Sequence, residues 1–173
     1  VSVPSSAITC SGPQVRPLTW DDEAAAFSSS DSVLDRVFDL CRYSIKATTF
    51  AGVYVDGDRE RIAYEADAYL NQLSHYAVDP DVQMARDTFD RLAAFPTWPT
   101  EWASHMVFIA HADFVQTGDL AWLLPRYESL MRRYAAAPAA APERKELEQE
   151  VRRAGKEIVT HAEEISGRER RSL

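Results

Sequence analysis

The chain has 173 residues, 46% hydrophobic and 27% charged, the balance of an ordinary globular domain long enough to bury a core. Its formal net charge of −8 argues against nucleic acid or an anionic membrane as partner, since both need a basic face. Residues 143–173 hold eight acidic and eight basic side chains, so residues 1–142 carry the whole imbalance, 19 acidic against 11 basic. An acidic body suits a neutral ligand such as a sugar at least as well as an anionic one. Two cysteines, Cys10 and Cys41, are too few for a disulfide framework or a metal knuckle. The opening VSVPSSAITCSG lacks the charged start and apolar run of a signal peptide, which makes the cytoplasm the expected compartment. No apolar run approaches the roughly 18 residues of a membrane span.

Residues 1–30, rich in Ser, Pro and Ala, read as an extended arm or the end of a preceding β domain, with QVRPLTW fitting a last strand. A first helix follows, with Ser30 or Asp31 as N-cap. Its stripe of Val33, Leu34, Val37, Leu40, Cys41, Ser44 and Ile45 recurs at three- and four-residue steps, and Cys41 reads as a buried apolar filler. A Gly-containing loop, 51–58, leads to a second helix through YEADAYLNQLSHYAV. Pro80 opens a third, PDVQMARDTFDRLAAF, as a first-turn proline. The stretch PTWPTEW breaks the pattern. A fourth helix, TEWASHMVFIAHADFVQTGD, is closed by Gly118, and a fifth begins at Asp119 as its cap.

Nothing after residue 30 alternates with period two. The fold class is therefore all-α, and short connections make successive helices antiparallel hairpins over residues 31–135. Residues 136–142 are an Ala/Pro hinge. In the charged helical tail, 143–173, Leu147, Val151, Ala154, Ile158, His161 and Ile165 form a short seam expected to pack back on the body or to fray.

The chemistry concentrates in VYVDGDRERIAYEAD, where Asp56, Asp58, Glu60, Glu65 and Asp67 surround Arg59 and Arg61. One reading is a helix start, with Asp58 as cap and Glu60 in the first turn opposing the macrodipole. The other is a working site. Aromatic neighbours would partly bury the loop, and burial raises a carboxyl pKa. If both are helical, Glu60 and Asp67 share a face about 10 Å apart along the axis. Arginine forks orient carboxylates or bind sugar oxygens, and Tyr54, Tyr64, Tyr69, Trp98 and Trp102 supply flat faces for a pyranose ring.

FAGVYVDGDRERIAYEADAYLNQLSHYAV followed by FPTWPTEW resembles the catalytic domain of the bacterial α-L-rhamnosidases of glycoside hydrolase family 78, over roughly Asp31 to Met131. The resemblance implies an (α/α)6 barrel, present here as its N-terminal part. It also implies inverting hydrolysis of a terminal α-L-rhamnoside without a cofactor. By position Glu60 matches the general acid and Asp67 the carboxylate that holds rhamnose hydroxyls. Tyr64 stands where many members have Trp. Asp56 matches the first aspartate, with Asp58 as rival. Arg59 and Arg61 fill the Arg-Glu-Arg-like run, and Trp98 or Trp102 matches a stacking aromatic. The family's general base is a glutamate far towards the C-terminus, beyond the resemblance. An inverting enzyme needs that second carboxylate roughly 6.5–9.5 Å from the acid. Glu101 is the candidate in this chain, against a capping role for it.

The remaining histidines carry less. His75, His105 and His111 form no i, i+4 metal pair, so no metal is expected. His105 and His111 read as core or pocket-edge residues, and Asp113 as a solvated helix residue. Two accounts follow: an incomplete piece of a rhamnosidase-type domain, or a non-catalytic helical module that binds sugar or a partner. Helix faces shaped for a larger barrel are expected to drive self-association.

Overall fold

The computed structural model describes residues 21, 23–57, 59–97, 102–136, 149, 152–153, 156–161 and 164, with the backbone alone at 103, 128 and 132–136. Five α-helices dominate: α1 (Ser32–Ala47), α2 (Glu65–Tyr76), α3 (Gln83–Ala94), α4 (His105–Thr117) and α5 (Leu120–Ala136). The domain is helical, in keeping with part of a barrel of helix hairpins. A 3-10 turn, Trp102–Ser104, precedes α4. Among the described residues the one departure from all-α is a minimal antiparallel hairpin of β1 (Thr49–Phe50) and β2 (Val53–Tyr54), pairing Thr49 with Tyr54 and Phe50 with Val53. Two-residue strands leave no alternation to read. The turn between them is made by Ala51 and Gly52, both at positive φ, which suits the twist of a two-residue hairpin.

Helix boundaries follow their caps. Asp31, in extended conformation, accepts the Val33 N–H at 2.8 Å and starts α1. Asp119 accepts the Trp122 N–H at 3.0 Å at the start of α5, and Gly118, at φ 66°, ends α4. Pro80 stands outside α3, whose N-cap is Val82: Asp79 and Asp81 side chains turn the chain first, accepting the N–H groups of Asp81 and Gln83.

The core lies between α3, α4 and α5, from Met84, Ala85, Phe89 and Leu92, through Met106, Ile109, Ala110 and Phe114, to Leu123 and Leu130. Tyr54 joins it from the hairpin and gives its backbone N–H to Thr88 Oγ1 at 3.0 Å. Ile158 joins from the tail and is fully buried, while Glu157 sits 2.9 Å from His111 Nε2 and the His161 ring meets Phe114 edge-on. At these positions the tail lies on α4. Of the other seam positions, 147, 151, 154 and 165 fall outside the described residues, as do the hinge beyond 136 and QVRPLTW.

Two expectations about burial are overturned. Cys41 is exposed, together with Val33, Leu34, Val37 and Leu40 of the same stripe, and no residue of α1 is buried. Asp113 is buried rather than solvated: it takes a two-point contact from Arg86 at 2.9 and 2.8 Å and a third bond from the Tyr76 hydroxyl.

Candidate active site

The acidic motif is a loop. After β2 the Asp56 N–H donates to the Ile62 carbonyl at 3.0 Å, and the Ile62 N–H returns to Asp56 Oδ1 at 3.4 Å, which closes a neck from which Gly57, Arg59, Glu60 and Arg61 project. Gly57 at φ 119° and Arg61 at φ 54° bend the projecting turn. A non-glycine residue held left-handed costs about 1–2 kcal/mol, a strain that gathers at functional loops. Glu60 therefore sits on the turn, not on α2, and the shared helical face expected for Glu60 and Asp67 does not exist. The chain enters α2 only at Glu65, with Tyr64 as N-cap.

Tyr64 and Glu60 are nonetheless bound together. The Tyr64 hydroxyl donates to Glu60 Oε2 at 2.6 Å, and Arg59 donates to Oε1 at 2.5 Å. The Tyr64 bond, followed by the Arg59 charge, holds the Glu60 carboxyl below its ordinary value. Burial pushes the other way but is outweighed, so the net shift is opposite to the one the aromatic neighbours had suggested. Asp67, on the first turn of α2, goes the other way: burial, then the Asp56 charge, raise it, with His105 opposing. The motif thus holds one carboxyl pushed down and one pushed up.

Trp102 meets Tyr64 edge-on, centroids 5.8 Å apart, so an aromatic pair flanks Glu60. Arg61 turns away from Glu60 and lies over the Phe50 ring, 5.7 Å from its centroid. Arg59 is exposed beside Glu60. Asp56 stays at the neck. Asp58, Trp98 and Glu101 lie outside the described residues. The structure therefore links Arg59, Glu60, Tyr64 and Trp102 by successive contacts, with Asp56 coupled through charge to Tyr64 and to Asp67.

One residue of this region escapes a pattern reading, and another, read as core or pocket-edge, takes that place. Glu65, fully buried, accepts the Thr97 N–H at 2.9 Å and the Thr97 hydroxyl at 2.5 Å. His105 opens α4, its ring against Tyr69 and Phe108, and burial keeps it below its ordinary pKa. Its Nδ1 is buried without a hydrogen bond of good geometry among the described residues. The available signal was spacing: Glu65, Ala68, Gln72 and His75 step 3-4-3 and are the buried face of α2.

Among the described residues no group of three His, Cys, Asp or Glu side chains could hold a metal, and no helix is long and apolar enough to cross a membrane. The model of the bacterial alpha-L-rhamnosidase six-hairpin glycosidase domain matches residues 22–154, and the chain belongs to that family. No curated protein and no solved structure matches it. Membership implies a glycoside hydrolase-like function and a glycoside as substrate class.

Proposed function

We propose that the motif is the acid side of an α-L-rhamnosidase site, which takes the terminal α-L-rhamnosyl residue of a glycoside in an inverting scheme. The observation that carries this is the chain of contacts from Glu60 on the projecting turn, through Tyr64 at the start of α2, to Trp102 before α4. Glu60 is the group that protonates the departing glycosidic oxygen. Asp67 and Asp56 accept sugar hydroxyls, Arg59 and Arg61 donate to sugar oxygens, and Tyr64, Trp102 and Trp98 present rings to the pyranose face. The attacking water needs a second carboxylate across the ring, for which Glu101 is the candidate within these residues.

One observation favours the second reading, sugar binding without hydrolysis. A general acid must hold its proton near the working pH, and the Tyr64 hydroxyl and Arg59 keep Glu60 ionised instead. Release of nitrophenol from p-nitrophenyl α-L-rhamnoside, set beside calorimetric binding of L-rhamnose, separates the two. Hydrolysis lost in Glu60→Gln makes Glu60 the acid. Binding without hydrolysis, weakened in Asp67→Asn, establishes the non-catalytic module. Absence of both sinks the rhamnose assignment.

The surface belongs to the same proposal. Val33, Leu34, Val37 and Leu40 on α1, with Leu70 and Leu73 on α2, are exposed, and an apolar face of that kind supports self-association. A monodisperse monomer by light scattering is the result that rejects it.

A further inference from the structure

Consecutive residues hold the two ends of one segment. Thr97 lies just beyond the end of α3 and is fixed through its N–H and its hydroxyl to the two oxygens of Glu65. Trp102, at the start of the 3-10 turn, is fixed edge-on to Tyr64. Tyr64 in turn holds Glu60, and two residues past Glu65 stands Asp67. The connection from α3 to α4 is thereby tied at both ends to the dipeptide that joins the acidic loop to α2.

A fully buried carboxylate is costly unless hydrogen-bonded. Both Glu65 oxygens are matched, and the matching donors come from a loop residue 32 positions away rather than from the core helices. An apolar side chain would fill the volume at least as cheaply. What it could not do is fix the direction in which the chain leaves Thr97. Position at the N-terminus of α2 further favours the charge.

We propose that Glu65 is a positioning residue: with Tyr64 it forms a two-point clasp that holds Thr97 and Trp102, and so sets the Trp102 ring against the tyrosine that binds Glu60. Its role in presenting a sugar-facing aromatic rests on the carbohydrate reading above; the clasp itself does not.

The test labels the protein with 5-fluorotryptophan and follows the fluorine resonances of its four tryptophans, Trp20, Trp98, Trp102 and Trp122, each assigned by substitution to Phe. Trp122 is the internal control, since it packs between Arg86 and Arg126 and against Phe89. Glu65→Gln and Thr97→Val are expected to shift or broaden the Trp102 resonance and leave that of Trp122 in place, with Thr97→Ser restoring the parent position. L-rhamnose binding is expected to weaken about tenfold, the loss of one charge-assisted hydrogen bond. Should Glu65→Gln fail to fold, the near-isosteric Thr97→Val carries the same comparison. An unmoved Trp102 resonance in a folded variant overturns the clasp. A moved resonance in a protein that ignores L-rhamnose overturns the carbohydrate reading and leaves Glu65 as the anchor of Thr97 and Trp102.

Discussion

Helices α1 and α4 read alike in sequence, each with apolar residues at helical spacing, yet none of the residues of α1 is buried and seven of those of α4 are. Packing accounts for the difference. α4 runs between α2, α3 and α5, so almost every direction from its axis meets another helix. α1 leans on α2 and turns Leu40 (63% exposed) and Tyr43 (67%) outward. An amphipathic pattern records that a face is suited to burial; it does not record what covers it. The two helices therefore make opposite predictions for the same kind of change.

The largest effect is expected on α4. Asp113→Ala removes the partner that Arg86 grips at two points and strands that cation, with only Asp119 left to it as a carboxylate. Breaking such a buried pair costs about 3–5 kcal/mol, and the lower part of that range applies because Asp119 remains. Urea unfolding measures it. A loss below about 1 kcal/mol would place Asp113 on a surface like that of α1, and the contrast would fail.

A smaller effect, set by pH, is expected at α2. His75 is buried, with the Tyr54 hydroxyl hydrogen-bonded to Nδ1 at 2.6 Å and Asp79 Oδ2 3.9 Å from Nε2. Burial pushes its pKa below the ordinary 6.5, against the charges of Asp79 and Asp81. The unfolded chain then binds the proton more readily than the folded one, so stability falls as pH drops below about 6.5 and levels off beneath the folded pKa. Melting temperature followed from pH 8 to pH 5 is expected to decline, and to decline less in His75→Gln. Equal slopes would mean that His75 does not report on this core.

These residues also mark how far the sequence could be read. The helices, the caps at Asp31 and Asp119 and the closing Gly118 were legible, because each depends on local chemistry. The hairpin was not, since its strands are shorter than any period. The buried side of α2 was hidden for another reason: Glu65, Gln72 and His75 are polar residues in the interior, paired with Thr97, the Ile109 carbonyl and Tyr54, while Leu70 and Leu73 face out. Hydrophobic periodicity picks the wrong face where a helix buries its polar stripe. At the site, residue type and resemblance named Glu60 and Tyr64 as candidates. Their contact depends on a turn bent at Arg61 that spacing alone could not foresee.

The smallest effect closes the comparison on α1. Leu40→Ala removes apolar surface that water already reaches, so the change in a dilute monomer is expected to stay within about 0.5 kcal/mol. The same truncation at Leu92, fully buried on α3, is expected to cost about 2–5 kcal/mol. Melting both variants at two protein concentrations makes the test sharper than either value alone. A Leu40→Ala penalty that grows with concentration means a second copy covers the face, because only association makes stability depend on concentration. A penalty that is large and independent of concentration means that this chain covers its own α1. In either case the exposed stripe would join α4 as a buried one, and the difference between the helices would lie in the partner rather than in the pattern.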